Sequence, residues 1–287
     1  MEEWVRNIFK QELLLNVAEE IISPLMETFP DCGNEIIAMS IVKTIQNTPL
    51  KLIKSKWEKL YLSKEIKAYL SPNTLNHRLK LIGSDWNKEK LFFDHLLSNT
   101  KHLIFDLSSI VSYSENLKLA EKGYNSEHLY LKQVNFALIF SRDMNIPVAI
   151  KVLPGSIRDI KSFKYIIDEM NLSSSIIILD RGFASYDLPN LLKEKNIEFI
   201  LPLRRNFEII DYSIPLENYF TYRNRGIYWG SKKIDGSFLY LFEDVKLRAE
   251  EETVIRVLDM FEYISKFIDA CFLVERGGTG HIFDARH

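Results

Sequence analysis

The stretch Ile176-Ile-Ile-Leu-Asp180 decides the fold of this 287-residue chain. Four consecutive apolar residues, with no polar position between them, are typical of a strand that is buried on both faces, as in a parallel sheet covered by helices. The run ends at a carboxylate, and a second apolar run at 102–106 also ends at one, Asp106. If the two runs are neighbouring strands of one sheet, Asp106 and Asp180 converge at its edge.

The segments around these two runs give the order of the predicted elements. A turn-rich segment, 141–145, joins two further apolar runs and predicts a hairpin, and helical stretches then alternate with strands. The predicted strands are 102–110, 134–140, 147–153, 176–179 and 198–203, with helices at 157–170 and 186–195. Three consecutive strands followed by helix–strand alternation predict an α/β fold, a mixed sheet with helices on its faces. The same order is that of the ribonuclease-H-like fold.

The first 98 residues are predicted to form a helical domain, because apolar residues recur there at helical spacing and prolines separate the helices. The best-marked helix starts after Ser71, which can cap it, and Pro72 suits its first position. Gly83 is expected to close it in the left-handed conformation. The residues expected to face inward are Leu75, Leu79 and Ile82. Those expected to face outward are Asn73, Asn76, His77 and Lys80.

Charge is distributed unevenly along this part of the chain. Residues 1–36 hold two bases and eight acids, a net charge of −6, whereas residues 37–84 hold nine bases and two acids, a net charge of +7. Basic patches bind phosphates by releasing counterions, so segment 37–84 is a candidate DNA contact. A basic, capped helix that follows another helix is also compatible with a helix-turn-helix. Composition alone favours a simpler interpretation, in which the lysines form a solvated helix face. The predicted DNA-binding residues are Lys51, Lys54, Lys56, Asn76, His77, Arg78 and Lys80.

The part of the chain after the last predicted core strand changes character. Residues 219–248 alternate and are rich in aromatic residues, which predicts a small antiparallel insertion with turns at Gly230 and Asp235-Gly236. Residues 246–269 are predicted to be helical, and the last eleven residues show no periodicity. The expected domains are 1–98 (helical, DNA-binding), 99–210 (first part of the ribonuclease-H-like catalytic core), 211–250 (β-rich insertion) and 251–287 (helix and irregular tail).

Composition excludes several classes of protein. The chain is 46% apolar and 26% charged, as in ordinary globular domains, and it has no apolar run long enough to span a membrane. Its N-terminus is acidic and does not resemble a signal peptide. The two cysteines, Cys32 and Cys271, are far apart and lack partners at metal-ligand spacing, which favours a reducing cytoplasm.

Asp106 and Asp180 are the candidate catalytic residues. Two neighbouring carboxylates repel each other unless a cation lies between them, and hard oxygen ligands suit Mg²⁺ or Mn²⁺. Two such ions can stabilise the attacking and leaving oxygens of phosphoryl transfer. For either residue alone, the simpler explanation is that aspartate favours strand ends and turns, where its side chain binds backbone amides.

Five sequence blocks, in this order, resemble the DDE transposases of insertion sequences, in the branch with a Tyr-x2-Arg-x3-Glu-x6-Lys signature. They cover about 101–210, and more loosely 60–250. The blocks are Phe105-Asp106-Leu-Ser-Ser-Ile110, Gly123–His128 with Leu131–Asn135, Leu153-Pro-Gly-Ser-Ile-Arg-Asp159, Ile178-Leu-Asp-Arg-Gly-Phe183 and Phe199-Ile-Leu-Pro-Leu-Arg204.

The resemblance implies an enzyme that cuts DNA at the terminal repeats of its element and joins it to target DNA. Asp106 and Asp180 would be ligands of two Mg²⁺ or Mn²⁺ ions, double-stranded DNA the partner, and the intact enzyme a homo-oligomer. Arg181, Gly182 and Phe183 would shape the turn beside the site, with Gly182 permitting an unusual backbone angle. Asp159 would lie in a loop near the site, although it equally suits the N-terminus of a helix.

The signature that carries the third carboxylate of the family is missing from this sequence. Tyr222 and Arg225 have the first spacing, but the position four beyond Arg225 is Trp229. We therefore expect that the chain ends before the catalytic helix, and that it neither cleaves nor joins DNA by itself. Two alternatives are a non-catalytic DNA-binding or dimerising fragment that inhibits intact transposase, and a ribonuclease-H-like nuclease that recruits another acid such as Glu275.

Overall fold

The structure is a computed structural model, which describes residues 13–16, 18–124, 130–157, 159–248 and 270–275. The chain divides into two compact units, Met1–Asn99 and Thr100–His287. Within the described residues, none of the helices has the length and apolar character that a bilayer crossing needs.

The first unit is helical, as the sequence predicts. Its helices are α1 (Glu19–Thr28), α2 (Gly33–Ile45), α3 (Ile53–Trp57), α4 (Pro72–Gly83) and α5 (Trp86–Leu97), with 3-10 turns at Leu50–Leu52 and Tyr61–Lys64. They enclose one apolar cluster, at whose centre Ala38, Ile53 and Leu62 are completely buried. Burial of this apolar surface is the main term that holds such a unit together.

Helix α4 begins as predicted and ends differently. The Ser71 hydroxyl accepts a hydrogen bond from the Thr74 N–H, and Pro72 stands in the first turn. Gly83 was expected in the left-handed conformation, and this is wrong: it is the last helical residue, and Ser84 continues with helical angles into α5. Asp85, which caps α5, stops the helix instead, so that no left-handed residue is needed. The inward position of Leu79 is also wrong, because 36% of that residue is exposed.

The second unit is built on a ten-stranded sheet. The strands are β1 (His102–Val111), β2 (Glu121–Tyr124), β3 (Tyr130–Ser141), β4 (Ile146–Pro154), β5 (Ile176–Ile178), β6 (Glu198–Pro202), β7 (Asn218–Tyr222), β8 (Arg225–Ile234), β9 (Ser237–Asp244) and β10 (Ala270–Glu275). Helices α6 (Asp159–Glu169) and α7 (Leu188–Glu194) connect β4 to β5 and β5 to β6.

The first part of this sheet has the ribonuclease-H-like order. Strand β3 pairs antiparallel with β1 and with β4, whereas β5 pairs parallel with both β1 and β6. The spatial order is therefore β4-β3-β1-β5-β6, a meander followed by parallel strands with helical crossovers. The continuous apolar run of β5 is explained by burial, because Ile176 and Ile177, which point to opposite faces of the sheet, are both buried. The predicted fold class is confirmed.

The β insertion is confirmed, with one correction. Strands β7, β8 and β9 form an antiparallel meander, and Asp235-Gly236 makes the turn between the last two. Gly230 is not a turn: it lies inside β8, where a Cβ atom would come within 2.1 Å of the Pro215 carbonyl oxygen. Close packing, rather than a turn, explains this glycine. The turn that joins β7 to β8 is Arg223-Asn224.

Strand β10 is a feature that the sequence did not predict. It lies between β6 and β9 and pairs antiparallel with both, so that the insertion continues the core sheet. The predicted helix over 246–269 falls mostly outside the described residues, although 245–248 are helical. The last eleven residues also lie outside them.

Candidate active site

The parallel register of β1 and β5 brings Asp106 and Asp180 to the same level of the sheet. The last printed pair of that register is Ile104 with Ile178, and each aspartate stands two residues further along its strand. The chain stays extended through Asp180, with φ −79° and ψ 158°, and the Leu179 N–H still donates to the Ile200 carbonyl oxygen at 3.1 Å. Because adjacent strands are about 4.8 Å apart, the backbones of the two aspartates are neighbours, and both residues are exposed.

Asp106 lies on the solvent-facing side of β1. Burial alternates along this strand, with Leu103 and Phe105 buried and Ile104 and Asp106 exposed. The Ser108 hydroxyl, two residues further on the same face, lies 3.5 Å from Oδ2 of Asp106. Ser108 lies within the first sequence block but is not singled out there, although the period of two along a strand could have found it. The hydroxyl can orient the carboxylate without neutralising its charge.

Asp180 is held by a tight turn that it caps itself. Residues Arg181–Phe183 form a 3-10 turn, and the Gly182 N–H donates to Oδ2 of Asp180 at 3.4 Å. The expectation of an unusual backbone angle at Gly182 is wrong, because Gly236 is the glycine with positive φ among the described residues. Arg181 is exposed and Phe183 is buried, so the turn is anchored on its buried side and leaves Asp180 exposed to solvent.

Three phenylalanines pack behind the aspartates and set their positions. Phe105 directly precedes Asp106, and Phe183 is the last residue of the Asp180 turn. Their ring centroids are 5.1 Å apart in an edge-to-face arrangement. Phe163 of α6 contacts both rings, at 4.7 Å and 6.1 Å. All three side chains are at most 3% exposed. This aromatic triad connects β1, the turn after β5 and α6. The sequence does not show it, because its members are far apart along the chain.

The face of the sheet that carries Asp106 is apolar and open. Exposed aliphatic side chains lie along the same strand face as the carboxylate: Ile104 is 37% exposed and Ile110 is 58% exposed. Ile150 and Val152 continue this surface on β4, since they stand opposite Leu138 and Phe136 of β3 in the register. The opposite face holds Phe105 and is filled by α6. Any further ligand therefore reaches Asp106 from the open face.

A third carboxylate does not join the pair in the part of the chain that the structure describes. No group of three His, Cys, Asp or Glu side chains that could hold a metal ion occurs there. Glu275 of β10 is the acid considered for a nuclease, and it pairs with Phe199 of β6. Phe199 in turn pairs with Ile177 of β5, which lies three residues before Asp180. Three residues along the strands and two strand spacings across them put its backbone about 14 Å from that of Asp180. This separation is too large for a shared ion, so the register argues against the nuclease hypothesis.

A buried amide cluster fixes the Pro154-Gly155 turn, next to the start of α6. The Asn135 amide donates to the carbonyl oxygens of Gly155 and Ile157, at 3.3 and 2.7 Å, and the Gln133 amide also donates to Gly155. The backbones are so close that a Cβ atom on Gly155 would lie 1.9 Å from the Gln133 carbonyl oxygen. Asp159 is the first residue of α6, and its side chain lies outside the described ones.

The predicted DNA-binding residues lie on neighbouring elements of the first unit. Lys51 belongs to the 3-10 turn Leu50–Leu52, which contacts helix α4, and Lys54 and Lys56 lie in α3. The exposed residues of the predicted set are Lys51, Lys54, Asn76, His77 and Lys80. Arg78 differs from them. Its side chain is half-buried and its Nε atom lies in the interior without a hydrogen-bond partner among the described residues.

Arg78 interacts with the buried thiol of Cys32. Burial raises the pKa of Cys32, and the positive charge of Arg78 partly opposes that effect. The arginine therefore has a place in the electrostatics of the helical unit as well as on its basic surface.

The fold and the site define the class of this domain: a ribonuclease-H-like sheet in which Asp106 of β1 and Asp180, just after β5, stand level on adjacent parallel strands. Comparison with known families agrees: the model of the transposase DDE domain matches residues 98–260, which is more than half of the chain. The chain therefore belongs to the transposase DDE domain family. No curated protein is significantly similar to it.

Proposed function

We propose that this chain carries the DNA-binding unit and two of the three metal-binding carboxylates of an insertion-sequence transposase. The observation that supports it most is the parallel register that makes Asp106 and Asp180 neighbours. Its expected partners are the terminal repeats of its element and target DNA, its expected location is the cytoplasm, and the intact enzyme is expected to be a homo-oligomer.

The donor set fits Mg²⁺ or Mn²⁺. Both carboxylates are exposed, and neither forms an ion pair with a described residue. Two unpaired, neighbouring carboxylates repel each other, and a hard divalent cation between them removes that repulsion. When bound, two such ions polarise the phosphate and stabilise the attacking and leaving oxygens of an in-line displacement. The protein contributes the ligands Asp106 and Asp180, and the aromatic triad holds them rigidly.

This 287-residue chain is proposed to be inactive alone. The family signature with the third acid has no match in the sequence, and the described residues offer no substitute close to the pair. A missing ligand misplaces the ion, and phosphoryl transfer tolerates little misplacement of its reacting groups. Cleavage of terminal-repeat DNA in the presence of Mg²⁺ is the direct assay. Robust product from the chain alone would contradict this part of the proposal.

Metal binding tests the pair separately from activity. We expect that Asp106→Asn and Asp180→Asn each weaken Mn²⁺ binding, measured by isothermal titration calorimetry, by at least about tenfold, since each removes one of two charged ligands. Asp187→Asn is the matched control, because Asp187 is exposed in the same unit and does not cap its helix through its side chain. If Asp106→Asn and Asp187→Asn behave alike, the site is not formed by the aspartate pair.

The alternative function is inhibition of an intact transposase by competition for DNA or by mixed assembly. The compact first unit supports it, because a helical unit with exposed basic residues can bind DNA without a complete catalytic centre. Adding the chain to a transposition assay of the intact enzyme distinguishes the two. Inhibition that disappears when Lys51, Lys54 and Lys56 are changed to alanine supports competition for DNA.

A further inference from the structure

Strand β4 is an edge of the sheet in the part of the chain that the structure describes. It pairs with β3 on one side, and on its other side no backbone hydrogen bond from another described residue reaches residues 146–153. Alternate residues of an edge strand direct their N–H and C=O groups outward, where a further strand can pair with them. β4 therefore presents a row of backbone donors and acceptors to a partner.

This edge is protected against pairing at its ends but not in its centre. A β-bulge lies at Val148, the residue that the register with β3 skips, and Pro154, which has no N–H, ends the strand. Lysines also protect edge strands, but the ammonium group of Lys151 forms an ion pair with Glu169 and is turned onto α6. Residues 149–153, the β4 edge segment, therefore remain open to a partner strand.

The side chains of the β4 edge segment are aliphatic where they are exposed. Ile150 is 42% exposed and Val152 is 44% exposed on the open face of the sheet. On the opposite face Ala149 and Leu153 are buried, and the Lys151 side chain is 15% exposed. The single charge of the segment is neutralised within its own chain, so the segment favours another neutral, aliphatic strand as its partner.

We propose that the β4 edge segment pairs antiparallel with the same segment of a second copy of this chain, so that two sheets become one. The bulge and the proline block the two ends, which places Lys151 at the centre of the pair. Ile150 of one protomer then stands opposite Val152 of its partner, and the two-fold symmetry repeats this contact. The segment thus complements itself in shape, and the two Lys151–Glu169 ion pairs leave the seam without net charge. A two-fold pair closes on itself, so the assembly ends at a dimer.

The inference rests on the proposed function in one respect, since it gives an interface to the homo-oligomer expected there. A seam of five residues is about 17 Å long and about 10 Å deep, well below the about 800 Å² per partner that stable complexes bury. We therefore expect a weak dimer, with a Kd in the micromolar range.

Sedimentation velocity of the full chain, at concentrations up to about 300 μM, tests the proposal. Ile150→Lys and Val152→Lys are each expected to raise the Kd of the dimer at least about tenfold, because a charge then stands against an aliphatic residue in the seam. Ile104→Lys is the matched control, since Ile104 is 37% exposed on the same face but has paired strands on both sides. Its Kd is expected to change less than about twofold. Thermal melts check that all three variants are folded.

Disulfide cross-linking tests the register, in a chain whose own two cysteines are replaced by alanine. Opposed residues of an antiparallel pair have Cα atoms about 4.5–5.5 Å apart, which a disulfide can bridge. A mixture of Ile150→Cys and Val152→Cys is therefore expected to form a covalent dimer on mild oxidation. Either variant alone is expected to form at least about fivefold less, because the two copies of one position lie diagonally, about 8 Å apart.

Three outcomes overturn the inference. They are a monomer at every concentration, an equal loss of association in Ile104→Lys, which would place the interface on the open face, and cross-linking of each cysteine variant alone as readily as of the mixture. Asp106→Asn distinguishes this failure from failure of the proposed function, because it removes a proposed metal ligand two strands away from the edge. If it weakens Mn²⁺ binding while Ile150→Lys and Val152→Lys leave sedimentation unchanged, the inference alone fails. If the chain dimerises through β4 and Asp106→Asn leaves Mn²⁺ binding unchanged, the metal site alone fails.

Discussion

Replacement of Phe183 by alanine separates the two tasks of the aromatic triad, which stabilises the second unit and fixes the Asp180 turn. The Phe183 ring is buried and contacts the rings of Phe105 and Phe163. Loss of a buried phenylalanine costs about 3–5 kcal/mol, including the cavity that remains. At about 2–4 °C per kcal/mol for a unit of this size, the melting temperature is expected to fall by roughly 10 °C.

Phe163→Ala is the matched variant, since its ring is equally buried in the same triad but belongs to α6 rather than to the segments that carry Asp106 and Asp180. We expect a similar loss of stability. Phe183→Ala and Phe163→Ala should differ in how far Mn²⁺ raises their melting temperatures. At a hundred times the dissociation constant, a ligand that binds only the folded state adds about 2.7 kcal/mol. The expected rise in melting temperature of the unmodified chain and of Phe163→Ala is therefore about 5–10 °C.

Phe183→Ala is expected to show less than half of that rise, because the turn that holds Asp180 loses its anchor. Differential scanning calorimetry is the appropriate assay, since it can resolve the second unit from the helical one. If both alanine variants keep the full response to Mn²⁺, the triad contributes stability and does not position the carboxylates. If Phe183→Ala loses less than about 1 kcal/mol, the packing argument itself is wrong.

Three further predictions concern stability and thiol reactivity. Asp143 accepts hydrogen bonds from the backbone and side chains at the start of β1, and these hold its pKa well below its usual range. The ionised Asp143 therefore stabilises the folded state fully above the pKa near 3.9 that it has in the unfolded chain. This stabilisation is lost as the pH falls towards the pKa of Asp143 in the folded state. Asp143→Asn should cost about 1 kcal/mol at pH 7, after allowance for its partial exposure, and progressively less below pH 4 in urea titrations. Gly83→Ala should raise the free energy of unfolding by about 0.5–1 kcal/mol, because the φ of Gly83 is negative and nothing lies within 4 Å of the added Cβ. Gly155→Ala should destabilise the second unit, because its Cβ would lie 1.9 Å from the Gln133 carbonyl oxygen. Thermal melts test both variants. A lower melting temperature for Gly83→Ala, or an unchanged one for Gly155→Ala, would contradict the space that the structure shows at these two glycines. Burial raises the pKa of Cys32, so in a chain without the other cysteine a thiol reagent should react at least about tenfold more slowly at pH 8 than in urea.

The sequence predicts the core of the fold well because its strands are buried on both faces or alternate regularly. All five predicted core strands and both crossover helices are present, with ends that differ by a few residues. The order of these elements, together with the right-handed crossover rule, leaves few topologies to choose from. Proximity of Asp106 and Asp180 follows from the same reasoning, since both residues end runs that become neighbouring strands.

Most failures have a common physical origin, namely that the deciding contact lies far away in sequence. Residue type places Gly230 at a turn, but close packing against the Pro215 carbonyl oxygen explains it. Gly83 is the exception: it is expected to close α4 in the left-handed conformation, but the nearby Asp85, which caps α5, ends the helix. Strand β10 is short and apolar, and its identity depends on pairing with β6 and β9. The aromatic triad likewise joins positions 105, 163 and 183, and no local pattern connects them.

For the proposed metal site, the two faces of β1 decide the direction from which a third ligand would approach. Phe105 and α6 occupy one face, so a third ligand has to approach from the face that carries Ile104 and Asp106. That face is bordered by exposed aliphatic side chains, and about 25 cal/mol is gained for each Å² of such surface that becomes buried. A segment that supplies a carboxylate from an apolar surface would therefore gain burial energy and complete the proposed ligand set in one step. Glu275 cannot do so from its place in β10, because its backbone stands two strands away and three residues behind the aspartate pair.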